Sequence, residues 1–136
     1  MVKVFMGLKG SGKTKKLIEL VNHAVNEEAG NVICVEYGPK LTYDISHRAR
    51  LIDAKIYDIE DYSALKGFVS GVYAGNFDIT HIFIDSLYKI AGSDDIAQAE
   101  EFVEWLDKFN KEHNVKFTVT ISDDEARATD NMKKYF

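Results

Sequence analysis

The sequence predicts an α/β fold in which helices cover a mostly parallel sheet. Two observations predict it: apolar runs too short to be helices, and longer segments between them whose apolar residues recur at helical spacing. Strands that alternate with helices are joined by right-handed crossovers, so they run parallel and bury both faces of the sheet. The length of 136 residues is that of one domain, and we expect residues 1–136 to form it.

Each element is predicted by its own pattern. The helices have apolar residues at helical spacing over residues 17–25, 65–73 and 99–109, and the first two end near Gly30 and at Gly75, as glycine favours at a helix C-terminus. The predicted strands are residues 2–6, 32–35, 82–84 and 115–121, with a weaker candidate at 55–59.

Composition excludes several classes of protein. Apolar residues make up 46% of the chain and charged residues 29%, which is typical of a globular domain. The net charge of −5 argues against a nucleic-acid binder. Cys34 is the only cysteine, so no internal disulfide or multi-cysteine zinc site forms, and we expect it in the core. With neither a membrane span nor a signal-peptide pattern, the expected location is cytoplasmic.

A glycine-rich loop (residues 7–14, GLKGSGKT) joins the first predicted strand to the first helix and matches the Walker A pattern. Its glycines let successive N–H groups face phosphate oxygens, and the helix that follows adds its positive N-terminal end. We expect Lys13 to reach the β- and γ-phosphates and the Thr14 hydroxyl to bind Mg²⁺. A glycine-rich turn with a solvated lysine is the alternative. The candidate phosphate-binding residues are Gly7, Gly10, Ser11, Gly12, Lys13 and Thr14.

Carboxylates end two of the predicted strands. Asp85 follows the apolar run HIFI, which is the Walker B arrangement, and it could hold Mg²⁺ opposite Thr14. The next residue is Ser86 and not a glutamate, so a carboxylate that activates water must come from elsewhere. Glu36, at the end of the second strand, is the candidate general base, with a solvated strand-end glutamate as the alternative and Asp44 as a reserve.

Hydroxyl groups lie at the end of the last predicted strand. Thr120 or Ser122 could touch the γ-phosphate, because the carboxyl ends of parallel strands share one edge of the sheet. A hydroxyl that caps the following turn is an equally good interpretation of Ser122.

Taken together, GLKGSGKT, Glu36 closing VICVE, and the DSL triplet at residues 85–87 resemble the RecA-like class of P-loop ATPases. That class includes recombinase, replicative-helicase and KaiC-type domains, and the resemblance covers residues 2–122 in element order. It implies a three-layer αβα P-loop NTPase fold with a mostly parallel sheet and RecA-like strand order, truncated after the fourth core strand.

The same resemblance implies ATP as ligand or substrate and Mg²⁺ as cofactor. It implies Lys13 and Thr14 on phosphate and Mg²⁺, Asp85 on Mg²⁺, and Glu36 as the catalytic base. DNA binding is not carried over, because the segment after Asp85 is short. Members of the class often borrow a basic residue from a neighbouring subunit; Arg48 and Arg50 are possible donors, with a solvated loop as the alternative.

RecA-like strand order would place the last strand beside the first and leave the first at an edge, and an uncovered edge invites association. Residues 132–136 could supply a small fifth strand there, or a second copy or protein partner could pair with it. Polar residues alternate with apolar ones in the last strand, at Lys116, Thr118 and Thr120, which predicts that one face of the sheet is thinly covered.

Three functions fit these residues. The first is a small, slowly hydrolysing ATPase that acts as a nucleotide-dependent switch or accessory module. The second is a small-molecule kinase resembling thymidine kinase, against which Ser86 and the lone cysteine argue. The third is a nucleotide-binding interaction protein without a productive base. ATP is favoured over GTP because no N-K-x-D motif occurs.

Overall fold

The computed structural model describes residues 1–136 as a five-stranded, all-parallel sheet with helices on both faces. The strands are β1 (Val2–Gly7), β2 (Asn31–Glu36), β3 (Arg50–Asp53), β4 (Ile79–Ile84) and β5 (Lys116–Ser122). The helices are α1 (Lys13–Glu27), α2 (Tyr62–Ala74), α3 (Leu87–Ala91), α4 (Ile96–His113) and α5 (Asp130–Lys133), with 3₁₀ turns at Ala54–Tyr57 and Glu125–Arg127. The predicted α/β class is confirmed, and the arrangement is consistent with a three-layer fold.

The strand order is β1-β5-β4-β2-β3. The last strand therefore lies between β1 and β4, and β1 is an edge strand, as expected. Along that edge the backbone N–H of Val4 donates to the carbonyl of Tyr135 at 2.7 Å. The C-terminal residues thus contact β1, while association of a second copy or partner there stays a prediction.

Two strand predictions are wrong. The weak candidate at residues 55–59 is displaced, because the strand is β3 and a 3₁₀ turn follows it. The Asp53 carboxylate accepts a hydrogen bond from the backbone of Lys55 at 3.0 Å and ends the strand there. Residues 132–136 form no strand either: Thr129 caps α5 through the backbone N–H of Met132, whose side chain is fully buried. Burial of that methionine favours a helical turn over an extended edge.

The two faces of the sheet are covered unequally. Helices α2 to α5 pack on one face over a core of 26 buried residues, whereas α1 and residues 38–49 cover the other over a core of 10. In β5, Phe117 belongs to the larger core, while Thr118 and Thr120 point to the other face and are nevertheless buried. The face that carries Thr118 and Thr120 therefore has the smaller core, but it covers both of these side chains. None of the helices is both long and apolar enough to cross a membrane.

Candidate functional site

A cavity of about 500 Å³ opens where β2, β4 and β5 end and α1 begins. It lies at the carboxyl edge of the sheet, where α/β proteins bind ligands. Seven of the predicted site residues line it: Gly10, Gly12, Lys13, Thr14, Glu36, Asp85 and Ser122. Two others, Gly7 and Ser11, lie outside its wall. The fold thus brings together segments that are up to 112 residues apart in the chain, from Gly10 to Ser122.

The glycine-rich loop has the backbone conformation that its sequence pattern requires. Gly10 and Gly12 both have φ of 87°, in the left-handed region where a Cβ is strained. At Gly7 a Cβ would stand 2.6 Å from the hydroxyl oxygen of Ser11, so the loop closes tightly on its own start. Helix α1 begins directly after Gly12, so its first N–H groups and positive end lie at the cavity and favour binding of an anion there.

The amine of Lys13 lies across the loop. It donates to the carbonyl of Leu8 at 3.1 Å and to the hydroxyl of Ser11 at 3.4 Å. Partial burial lowers the pKa of Lys13, and the nearby charge of Asp85 opposes that change. The amine of Lys13 therefore lies at the glycine-rich loop, beside the first turn of α1.

The carboxylate of Asp85 is buried and held by hydroxyl groups from two other elements. Thr14 donates from α1, with its hydroxyl 3.3 Å from both carboxylate oxygens. Thr120 donates from β5 at 2.6 Å, and it accepts the backbone N–H of Ser86 at 2.8 Å. Ser86 has φ of 62°, which strains a non-glycine residue, so the bond that its N–H donates to Thr120 also fixes an unusual backbone turn.

Thr14 and Asp85 have the chemistry of a Mg²⁺ site. Both offer hard oxygen ligands, and Mg²⁺ commonly takes one or two protein oxygens and completes its shell with water and phosphate. The structure contains no group of three or more His, Cys, Asp or Glu side chains that could hold a metal ion. Thr14 and Asp85 lie in hydrogen-bond contact, and the cavity beside them has room for a ligand that brings further oxygens.

Glu36 is buried at 3% exposure, so its interpretation as a solvated strand-end residue is wrong. Both of its carboxylate oxygens accept the backbone N–H of Leu41 at 3.2 Å, which holds the segment after β2 against the cavity. Burial raises the pKa of Glu36, and the charges of Asp53 and Asp85 raise it further. The reserve candidate Asp44 is exposed and does not line the cavity.

Of the remaining candidate residues, only one lines the cavity. Ser122 lines the cavity, whereas Thr120 lies beneath Asp85 and not in the wall. Arg48 donates to the side chain of Asn26 at 2.7 Å and Arg50 begins β3; neither lines the cavity.

The carboxylate of Asp123 joins the end of β5 to its surroundings. It accepts the hydroxyl of Tyr88 and the guanidinium of Arg127, both at 2.7 Å, while its backbone N–H donates to Gly7 at 3.1 Å. Burial opposes ionisation, but the hydrogen bonds from Tyr88, the backbone of Asp124 and Arg127 lower the pKa of Asp123. The end of β5 is therefore fixed directly beside the start of the glycine-rich loop.

Sequence reasoning missed three lysines in the cavity wall, Lys9, Lys40 and Lys89, which lie there together with Lys15. With Lys13 they make five amines against the carboxylates of Glu36 and Asp85. They come from the loop, from α1, from the segment after β2 and from α3, so no local pattern could have grouped them. Only the strand order brings these segments to one edge.

Comparison with known proteins adds no relative: no protein-family model matches the chain, and no curated protein matches it. The residues of the cavity therefore carry the functional argument.

Proposed function

We propose that this chain is a Mg²⁺-dependent ATP-binding protein of the P-loop NTPase class, with RecA-like strand order, and that it hydrolyses ATP slowly as a nucleotide-dependent switch or accessory module. One observation carries the proposal: the glycine-rich loop, the Thr14–Asp85 pair and Glu36 line one cavity at the carboxyl edge of the sheet. These are the parts that phosphoryl transfer to water requires.

Phosphate binding would use the glycine-rich loop. Gly10 and Gly12 have left-handed backbone conformations just before the start of α1, and backbone N–H groups of this loop would donate to phosphate oxygens. Lys13 would exchange its present contacts with Leu8 and Ser11 for the β- and γ-phosphates. Mg²⁺, when bound by Thr14 and Asp85, would neutralise charge on the same oxygens.

Hydrolysis would use Glu36 as the general base. Water attacks the γ-phosphorus, the bond from that phosphorus to the bridging oxygen breaks, ADP leaves, and Glu36 takes the proton of the water. Burial raises the pKa of Glu36, and a higher pKa makes a carboxylate a stronger proton acceptor.

A non-hydrolysing nucleotide-binding protein is the second candidate function. It is favoured by the bond from the Leu41 N–H to both oxygens of Glu36, since a carboxylate that holds a backbone segment is less free to take a proton.

Calorimetric titration of Mg·ATP tests the binding function. We expect Lys13→Ala to weaken binding by about 100-fold or more, since a phosphate-binding lysine contributes a charged contact inside the site. Lys108→Ala, at an exposed position on α4, is the matched control and should bind as the wild type does. Absence of binding to the wild-type protein, or equal binding to the two variants, would contradict the proposal.

Steady-state turnover separates the two candidates. We expect Glu36→Gln to bind Mg·ATP normally and to lose about 100-fold or more in turnover, which is the contribution typical of a general base. If the wild-type protein binds ATP without measurable turnover, the second candidate is correct. If Glu36→Gln hydrolyses ATP at the wild-type rate, the assignment of Glu36 is wrong.

A further inference from the structure

We propose that the cavity recognises the triphosphate and not the base, so that its ligand class is nucleoside triphosphates of any base, together with inorganic triphosphate. The inference rests on the proposed function and deepens it by naming the substrate class. Three properties of the cavity wall carry it: its few apolar groups, its charge, and the kinds of polar side chain that it contains.

The wall offers little apolar surface for a base. Only two of its fourteen residues are hydrophobic, Tyr37 and Leu41, and Leu41 is itself buried in the smaller core. Sites that bind a base are mostly lined by apolar and aromatic side chains. Tyr37 is left as the one exposed ring, and stacking on a ring is tolerant of sequence because every base has a π-face. A base that stacks on Tyr37 would gain affinity without being discriminated.

The charge of the wall matches a polyphosphate. Five lysines and two carboxylates give it a net charge of +3, whereas the whole chain carries −5. Positive charge is therefore concentrated at this one edge of an acidic protein, where the glycine-rich loop and the start of α1 already favour an anion. Lys40 and Lys89 extend it beyond the loop, on the side of Glu36 and Ser86.

The wall lacks the side chains that distinguish one base edge from another. Its uncharged polar side chains, apart from the Tyr37 phenol, are the hydroxyls of Thr14, Ser86 and Ser122, and a hydroxyl both donates and accepts. No Asn, Gln, His or Arg lines the cavity. Strong rejection of a wrong ligand requires buried polar groups that this ligand leaves unpaired, and rotating hydroxyls do not supply them.

Titration of four Mg²⁺ complexes tests the inference: ATP, GTP, CTP and inorganic triphosphate, with adenosine as the phosphate-free control. We expect the three nucleotides to have Kd values within about tenfold of one another. Inorganic triphosphate should bind within about tenfold of ATP, because stacking of the base on Tyr37 is the only further contribution to the binding free energy of the nucleotide. Adenosine should not bind at millimolar concentration. Lys40→Ala and Lys89→Ala should each weaken ATP and triphosphate by the same factor, and Lys108→Ala should weaken neither.

The outcomes separate this inference from the proposed function. If ATP binds and Lys13→Ala abolishes binding, but GTP or CTP binds more than about tenfold more weakly, the site discriminates the base and the inference is wrong while the proposed function stands. Failure of triphosphate to bind where ATP binds overturns it in the same way. If none of the four phosphates binds, the proposed function itself fails.

Discussion

Replacing Thr120 by valine tests whether the Asp85 carboxylate, the proposed Mg²⁺ ligand, is held in place before a ligand binds. The Thr120 hydroxyl donates to Asp85 at 2.6 Å and accepts the N–H of Ser86 at 2.8 Å, with 1% of the residue exposed. Valine has nearly the same shape, so the change removes both bonds and leaves little cavity. A hydrogen bond to a charged group contributes about 1.5–3 kcal/mol, and an unsatisfied buried N–H costs about 1–3 kcal/mol. We expect Thr120→Val to lose about 3 kcal/mol of unfolding free energy.

Urea denaturation measures this loss, with Thr120→Ser as the matched control. Serine keeps the hydroxyl and loses one methyl group, so Thr120→Ser should lose only about 1 kcal/mol of unfolding free energy. A second readout is the Mg²⁺ concentration at which ATP binding is half-maximal, which should rise in Thr120→Val and stay unchanged in Thr120→Ser. If the two variants lose equal stability, or if Thr120→Val loses less than about 1 kcal/mol, the hydroxyl does not hold Asp85 as argued.

Three further predictions concern single residues. Burial lowers the pKa of His81 to about 4 from 6.5, so the ring is neutral in both the folded and the unfolded state above pH 6.5. As the pH falls from 6.5 to 4 only the unfolded state takes up the proton, and about 3 kcal/mol of unfolding free energy should be lost. His81→Gln should flatten that part of the pH dependence of urea denaturation. Cys34 is fully buried and burial raises the pKa of its thiol, so a thiol reagent should react only after urea unfolds the protein, and rapid labelling of the native state would contradict this. Gly12→Ala should cost about 1–2 kcal/mol through its left-handed backbone alone, whereas Gly67→Ala inside α2 should add about 1 kcal/mol; equal thermal stabilities of the two variants would refute the distinction.

The order of the main elements could be predicted because it depends on local periodicity. Apolar spacing located α1, α2 and α4 and four of the five strands, and the covering of strands by helices then implied a parallel sheet. Most of the candidate site followed from the same step, since residues that end parallel strands meet at one edge. Glu36, Asp85 and Ser122 line one cavity for that reason.

Features that depend on tertiary contacts could not be predicted. Residues 132–136 were expected to supply a short strand, but the buried side chain of Met132 and the cap from Thr129 place residues 132 and 133 in α5, and a turn follows. The bond from Leu41 to Glu36 is equally invisible in the sequence, because it depends on how residues 37–41 turn back. Exposure could not be inferred for Glu36 from its place at the end of a strand.

The position of Thr120 shows why register had to come from the structure and what selects it. In the pairing of β4 with β5, Ile84 lies opposite Val119, so the next residues along the two strands are Asp85 and Thr120. A slip of one residue would place Val119 or Ile121 beside Asp85 and turn every side chain of β5 to the opposite face. Val119 and Ile121 would then leave the larger core, and the buried carboxylate would lose its strongest donor. The site and the core therefore select the same register.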